Sequence, residues 1–118
     1  MVVMTRYEQA ADRAVGWLAT RLCDDLSCEG NLRSCHTSHK VAWGAAVLAR
    51  ITSDPRCIEL AVAIADYLLG IQDPSGAWLA DQPAHTKFDQ TAEIAIWLRE
   101  ISAELFTLQQ GRASHRFR

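Results

Sequence analysis

Two stretches of this chain repeat one plan fifty positions apart, and that repetition limits the possible fold more than any other feature. Ala14-Val15-Gly16-Trp17-Leu18 lies fifty residues before Ile64-Ala65-Asp66-Tyr67-Leu68. Each stretch is followed by a loop holding glycine, one residue of any kind and a large apolar residue, Gly30-Asn31-Leu32 in the first half and Gly76-Ala77-Trp78 in the second. Each loop leads into a segment with a central tryptophan, Trp43 or Trp97. Self-similarity at such a period marks stacked supersecondary units, none of which buries its apolar face alone. A chain of 118 residues builds one core and is short for two, so its division is into repeats.

The hydrophobic period makes the unit a pair of helices. Ala10, Ala11, Ala14, Val15, Trp17, Leu18 and Leu22 recur at steps of three and four over residues 7–22, predicting an amphipathic helix. Thr5, with Glu8 three residues on, is the pattern of a capping box. Turn formers crowd Cys23 to Arg33 and predict a loop. From about His39 to Ile51 the apolar residues cover most of the circumference, predicting a helix buried on more than one side. Asp54-Pro55 is a cap followed by proline at the first helical position, and a third helix runs to about Ile71. After a loop rich in Pro, Gly and Asp, a fourth helix is expected to begin near Asp89 and to lose its pattern after Phe106. No stretch alternates as a strand would. The expected architecture is all-α, with two helix-pair repeats and about four main helices in a single domain over residues 1–106. Repeat one covers about 5–52 and repeat two about 53–106, and 107–118 form a polar, basic, flexible tail.

Charged residues make up 22% of the chain and the net charge is only −2, which places it among ordinary globular proteins and implies no strongly charged partner. Arg112, Arg116 and Arg118 give too little phosphate neutralisation for a nucleic-acid arm. Apolar runs fall short of the roughly 20 residues that span a bilayer, and the Met1-Val2-Val3-Met4 start lacks a signal-peptide core, so a cytoplasmic location is expected. The four cysteines are then free thiols.

Residues Ala65-Asp66-Tyr67-Leu68-Leu69-Gly70-Ile71-Gln72-Asp73-Pro74-Ser75-Gly76-Ala77-Trp78 resemble the QW repeat of the squalene and terpenoid cyclase superfamily. That repeat has an aromatic and aliphatic helix end, then glutamine, a short spacer and Gly-x-Trp. In the first half Leu32 stands in place of the tryptophan and no glutamine matches. His39 to Arg50 is similar to the helix that follows in proteins of this α/α toroid class. The resemblance implies a partial α/α toroid in which the motif braces the fold and does no chemistry. It carries no activity across, because the Asp-x-Asp-Asp proton donor of hopene-type cyclases is absent and Asp24-Asp25 is a bare pair. The prenyltransferase branch binds zinc, and no matching Asp, Cys and His set is found.

Asp89 and Glu93, four apart, are the candidate acid residues, although capping and the helix dipole also favour carboxylates at a helix start. Trp43, Trp78 and Phe88 are the candidate substrate-binding residues, with Trp17, Trp97 and Tyr67 as further aromatics for a pocket. Cys23, Cys28, Cys35, His36 and His39 cluster, but only Cys35 and His39 have the spacing of paired zinc ligands, so neither a metal nor another cofactor is expected. His85 and His115 have no nucleophile arrangement beside them.

Two functional expectations follow. One is a non-catalytic or accessory helical-repeat domain acting through self-association or a larger protein partner, since two repeats leave apolar ends open. The other is an enzyme or enzyme subunit acting on an isoprenoid or other apolar small molecule, in a cavity completed by oligomerisation. They differ in whether the aromatic residues share one cavity or fill separate layers.

Overall fold

The computed structural model describes residues 3–22 and 38–116, and every element in it is helical: α1 (Arg6–Thr20), α2 (Ser38–Thr52), α3 (Pro55–Ile71) and α4 (Ala84–Arg116). The chain is therefore all-α. No helix among the described residues is long and apolar enough to cross a membrane.

The caps written in the sequence are formed. The Thr5 hydroxyl accepts from Glu8 N at 3.1 Å while Thr5 N donates back to the Glu8 carboxylate at 3.3 Å, which satisfies two of the amides that open α1. Asp54 accepts from Arg56 N at 2.9 Å, with Pro55 at the start of α3. Ser53 ends α2 with φ of 57°, the left-handed conformation usual just past a helix, and its N–H reaches back to Ala49 O at 2.8 Å.

Helix α2 is the centre of the molecule. Its Ala42, Ala45, Ala46 and Ala49 are buried, and these small side chains let α3 and α4 pack closely on two of its sides. Helix α3 contributes Cys57, Leu60, Ala61, Ile64 and Leu68 to the core, and α4 contributes Ile94, Ile101 and Leu108. Each large aliphatic among them stabilises the fold by about 1.5–3 kcal/mol.

Contacts between α2 and α4 fall at one constant separation. His39 meets Glu93, Trp43 stacks on Trp97 with ring centroids 4.6 Å apart, and Arg50 pairs with Glu104. Each pair is fifty-four positions apart, so the two helices run parallel and pair like positions, as adjoining repeats in a stack do.

Three expectations need correction. First, α1 is peripheral: it packs on α3, and Val15 is its only buried residue, while Ala10, Ala11 and Ala14 are exposed and Trp17 is 58% exposed. Periodicity marked the apolar face, but a face has to be met by a partner before it is buried. Second, α4 begins at Ala84 instead of near Asp89. Pro83, read as a loop residue, supplies the carbonyl that accepts from Lys87 N at 3.0 Å. Third, residues 107–116 are helical and not an irregular tail, and Leu108 in this stretch is buried. At about 1.5 Å per residue this helix is about 50 Å long, which accounts for the 53 Å long axis of the molecule.

Candidate functional site

The stretch from Gln72 to Trp78 folds into a brace at the α3–α4 corner. Helix α3 leaves its last four carbonyls without helical partners. One of them, Leu68 O, accepts from the Trp78 indole N–H at 2.8 Å, and Trp78 is only 5% exposed. The backbone of Trp78 is held as well: its N–H donates to the Thr91 hydroxyl at 2.9 Å, and that hydroxyl donates to Trp78 O at 3.2 Å. Gln72 Nε2 donates to Gly76 O at 2.8 Å across the turn. Gly76 has φ of 99°, a conformation that costs a residue with a Cβ. Asp73 accepts from Ser75, and those hydrogen bonds lower its carboxyl pKa. Trp78, a candidate for substrate binding, is thus fully occupied in tying α3 to α4.

Glu93 and Asp89 are separated by their surroundings. Asp89 is exposed in the second turn of α4, too far along to cap it. Glu93 lies between α4 and α2, where the His39 ring Nε2–H donates to its Oε1 at 3.1 Å and Lys40 Nζ lies 3.1 Å from the same oxygen. These two donors, His39 first, hold the Glu93 carboxyl below its ordinary range, which suits an ionised structural partner better than a general acid. His39 is only 1% exposed. Its Nδ1 and the buried Gln90 Oε1 find no hydrogen-bond partner among the described residues. This buried histidine was singled out in the sequence only as a weak zinc ligand, and the partner it has is a carboxylate one repeat away. Cys23, Cys28, Cys35 and His36 lie outside the described residues. Among the described residues no group of three metal-ligating side chains comes together.

The aromatics fill different layers. Trp43 and Trp97 stack on each other between α2 and α4, Trp78 is locked in the corner, and Trp17 lies on the surface with the Arg21 guanidinium 4.9 Å from its ring. Phe88 is 69% exposed and nine residues before Trp97, about 13.5 Å along α4. Trp43, Trp78 and Phe88 therefore do not converge.

Two apolar openings were not foreseen. One, of about 480 Å³, lies between α3 and α4 and is walled by Ala65, Leu69, Leu98, Ile101, Ser102, Leu105, Phe106 and Gln109. The other, of about 460 Å³, lies between α1 and the α2–α3 corner, over Val15, Leu48, Ile51 and Cys57. Beside it Arg56 joins α1 to α3, its guanidinium 2.5 Å from Asp12 and 2.7 Å from Asp54. That bridge lowers the Asp54 pKa, while burial raises that of the Cys57 thiol. Both openings were legible only as unmatched apolar positions. Val62, Leu69, Phe88, Ile96 and Phe106 are all exposed.

Comparison with protein-family models, with curated proteins and with solved structures finds no match to this chain.

Proposed function

We propose that this chain is a non-catalytic helical-repeat module, a segment of an α/α toroid akin to the terpenoid cyclase class, and that it works by associating with further copies of itself or with a larger protein. The observation that carries this reading is the division of the aromatic residues among separate packing layers. Trp43, Trp78 and Trp97 are each engaged with protein, so among the described residues they share no common aromatic cavity in which an apolar substrate would be held. Glu93, the better placed of the two carboxylates, is already engaged by His39 and Lys40. The apolar surface is instead on the outside, on α1 and along α3 and α4, where it favours association.

Light scattering coupled to size exclusion tests the reading. A mass above that of one chain, rising with concentration or fixed at a multiple, is the expected result. A single-chain mass over the whole concentration range, with a cooperative melt, would show two repeats to be self-sufficient and would overturn it.

A further inference from the structure

The two halves of the chain are unequally completed, and the repeat specifies what is missing. Helix α3 buries Cys57, Leu60, Ala61, Ile64 and Leu68. Fifty positions earlier these are Tyr7, Ala10, Ala11, Ala14 and Leu18 of α1. The first four of those are exposed, Tyr7 to 82%. Tyr7, Ala10 and Ala14 of α1 thus stand in solvent where their counterparts are buried, while Ala11 walls the opening over Leu48 and Cys57 and Leu18 packs on the core.

The surface that would receive that face is also open. Inside the chain, Val15 and Leu18 of α1 and Val41, Gly44, Ala45 and Leu48 of α2 wall a small space of about 180 Å³, closed by Cys57 and Leu60 of α3, and the three of these walls whose counterparts also face an opening are Val15, Gly44 and Leu48. Val15 moves forward by fifty positions to Ala65. Gly44 and Leu48 move by the fifty-four that relate α2 to α4, to Leu98 and Ser102. All three counterparts line the wider α3/α4 groove, and among the described residues no helix closes it. The closing residues Cys57 and Leu60 correspond to Tyr7 and Ala10.

We infer that the α3/α4 groove of one copy seats the α1 helix of a second copy, in a head-to-tail contact that continues the repeat stack from chain to chain. The inference rests on the association reading above and names its partner and register. Charge supports the same register. Arg56, which joins α3 to α1 through Asp12, has Arg6 as its counterpart, and Asp12 has Val62, which is flanked by the exposed carboxylates Glu59 and Asp66. Arg6 of the incoming α1 therefore arrives beside acidic partners. Because donor face and acceptor groove differ, one contact leaves a free stripe at one end and a free groove at the other, and growth stops only where a ring closes.

The test uses the full chain and two variants at exposed positions. Ala10→Glu charges the α1 stripe while keeping a good helix former, and Phe106→Glu charges the groove. Each alone is expected to weaken self-association at least about tenfold, the shift expected from a charge buried without a partner. Mixed in equal amounts they are expected to form a species of two chains and no larger, because the intact stripe of one meets the intact groove of the other. Far-UV circular dichroism and the melting profile verify that both variants fold. An oligomer insensitive to Ala10→Glu, or a mixture that stays monomeric, overturns this seating and leaves the association reading standing. A wild-type chain that is monomeric throughout overturns both.

Discussion

Trp78→Phe separates a bracing role of the Gln72–Trp78 corner from a passive one. The substitution keeps an aromatic ring but removes the indole N–H that donates to Leu68 O at 2.8 Å, at a site where Trp78 is only 5% exposed. Leaving that carbonyl without a partner costs about 1–3 kcal/mol. The smaller ring gives up about 1 kcal/mol of transfer free energy and opens a space on the order of 40 Å³, which adds about another 1 kcal/mol. The expected loss is roughly 3–5 kcal/mol, read from urea unfolding followed by far-UV circular dichroism, with a fall in Tm of roughly 10–25 °C for a domain of this size. Trp17→Phe is the internal control. It makes the same chemical change on a 58% exposed ring whose polar contact is Arg21, and it should cost less than about 1 kcal/mol. If Trp78→Phe costs no more than Trp17→Phe, the corner is not a brace and the energetic argument for it fails.

Two further perturbations test other parts of the fold. The Glu93 carboxyl has a folded-state pKa lowered by His39 and Lys40, so its contribution to stability is full above the unfolded-state value near 4.3 and is lost as pH falls through the folded-state value. Urea unfolding from pH 6 to pH 3 should therefore show a steeper loss in the wild type than in Glu93→Gln, and equal slopes would remove the His39–Glu93 pair from the account. Ser53 occupies the left-handed region with φ of 57° and is exposed, so Ser53→Gly should stabilise the protein by about 0.5–1 kcal/mol, and a destabilised variant in thermal melts would contradict the strain argument.

Local rules of capping and turn chemistry were readable residue by residue. Thr5 with Glu8, Asp54 with Pro55, and Gly76 at a positive φ all stand where their chemistry requires them, because each depends only on neighbours within a few positions. The broad apolar coverage of α2 likewise foretold its burial on two sides. The start of α4 was missed because proline signals both loops and helix beginnings, and Pro83 here serves the second role. The candidate site was read less well. Asp89 and Glu93 share a spacing that suggests a common face, yet Glu93 is claimed by His39 from another repeat and Asp89 is left in solvent, and a contact fifty-four residues away is not visible in local pattern.

The burial of α1 shows where period and partner part company. A stripe of Tyr7, Ala10, Ala14 and Trp17 obeys helical spacing as well as the stripe of Cys57, Leu60, Ile64 and Leu68 does, but only the second lies against α2. Periodicity therefore reports that a face is apolar, and the repeat reports what kind of surface it matches. The α2–α4 pairs at one constant separation show that like positions meet between the two halves. The same rule applied to α1 calls for a second helix against its exposed stripe, and among the described residues the second helix with an open apolar flank is α4. The exposed stripe and the open groove are thus one packing requirement seen from its two ends, and a head-to-tail contact meets it by setting the stripe of one copy in the groove of the next.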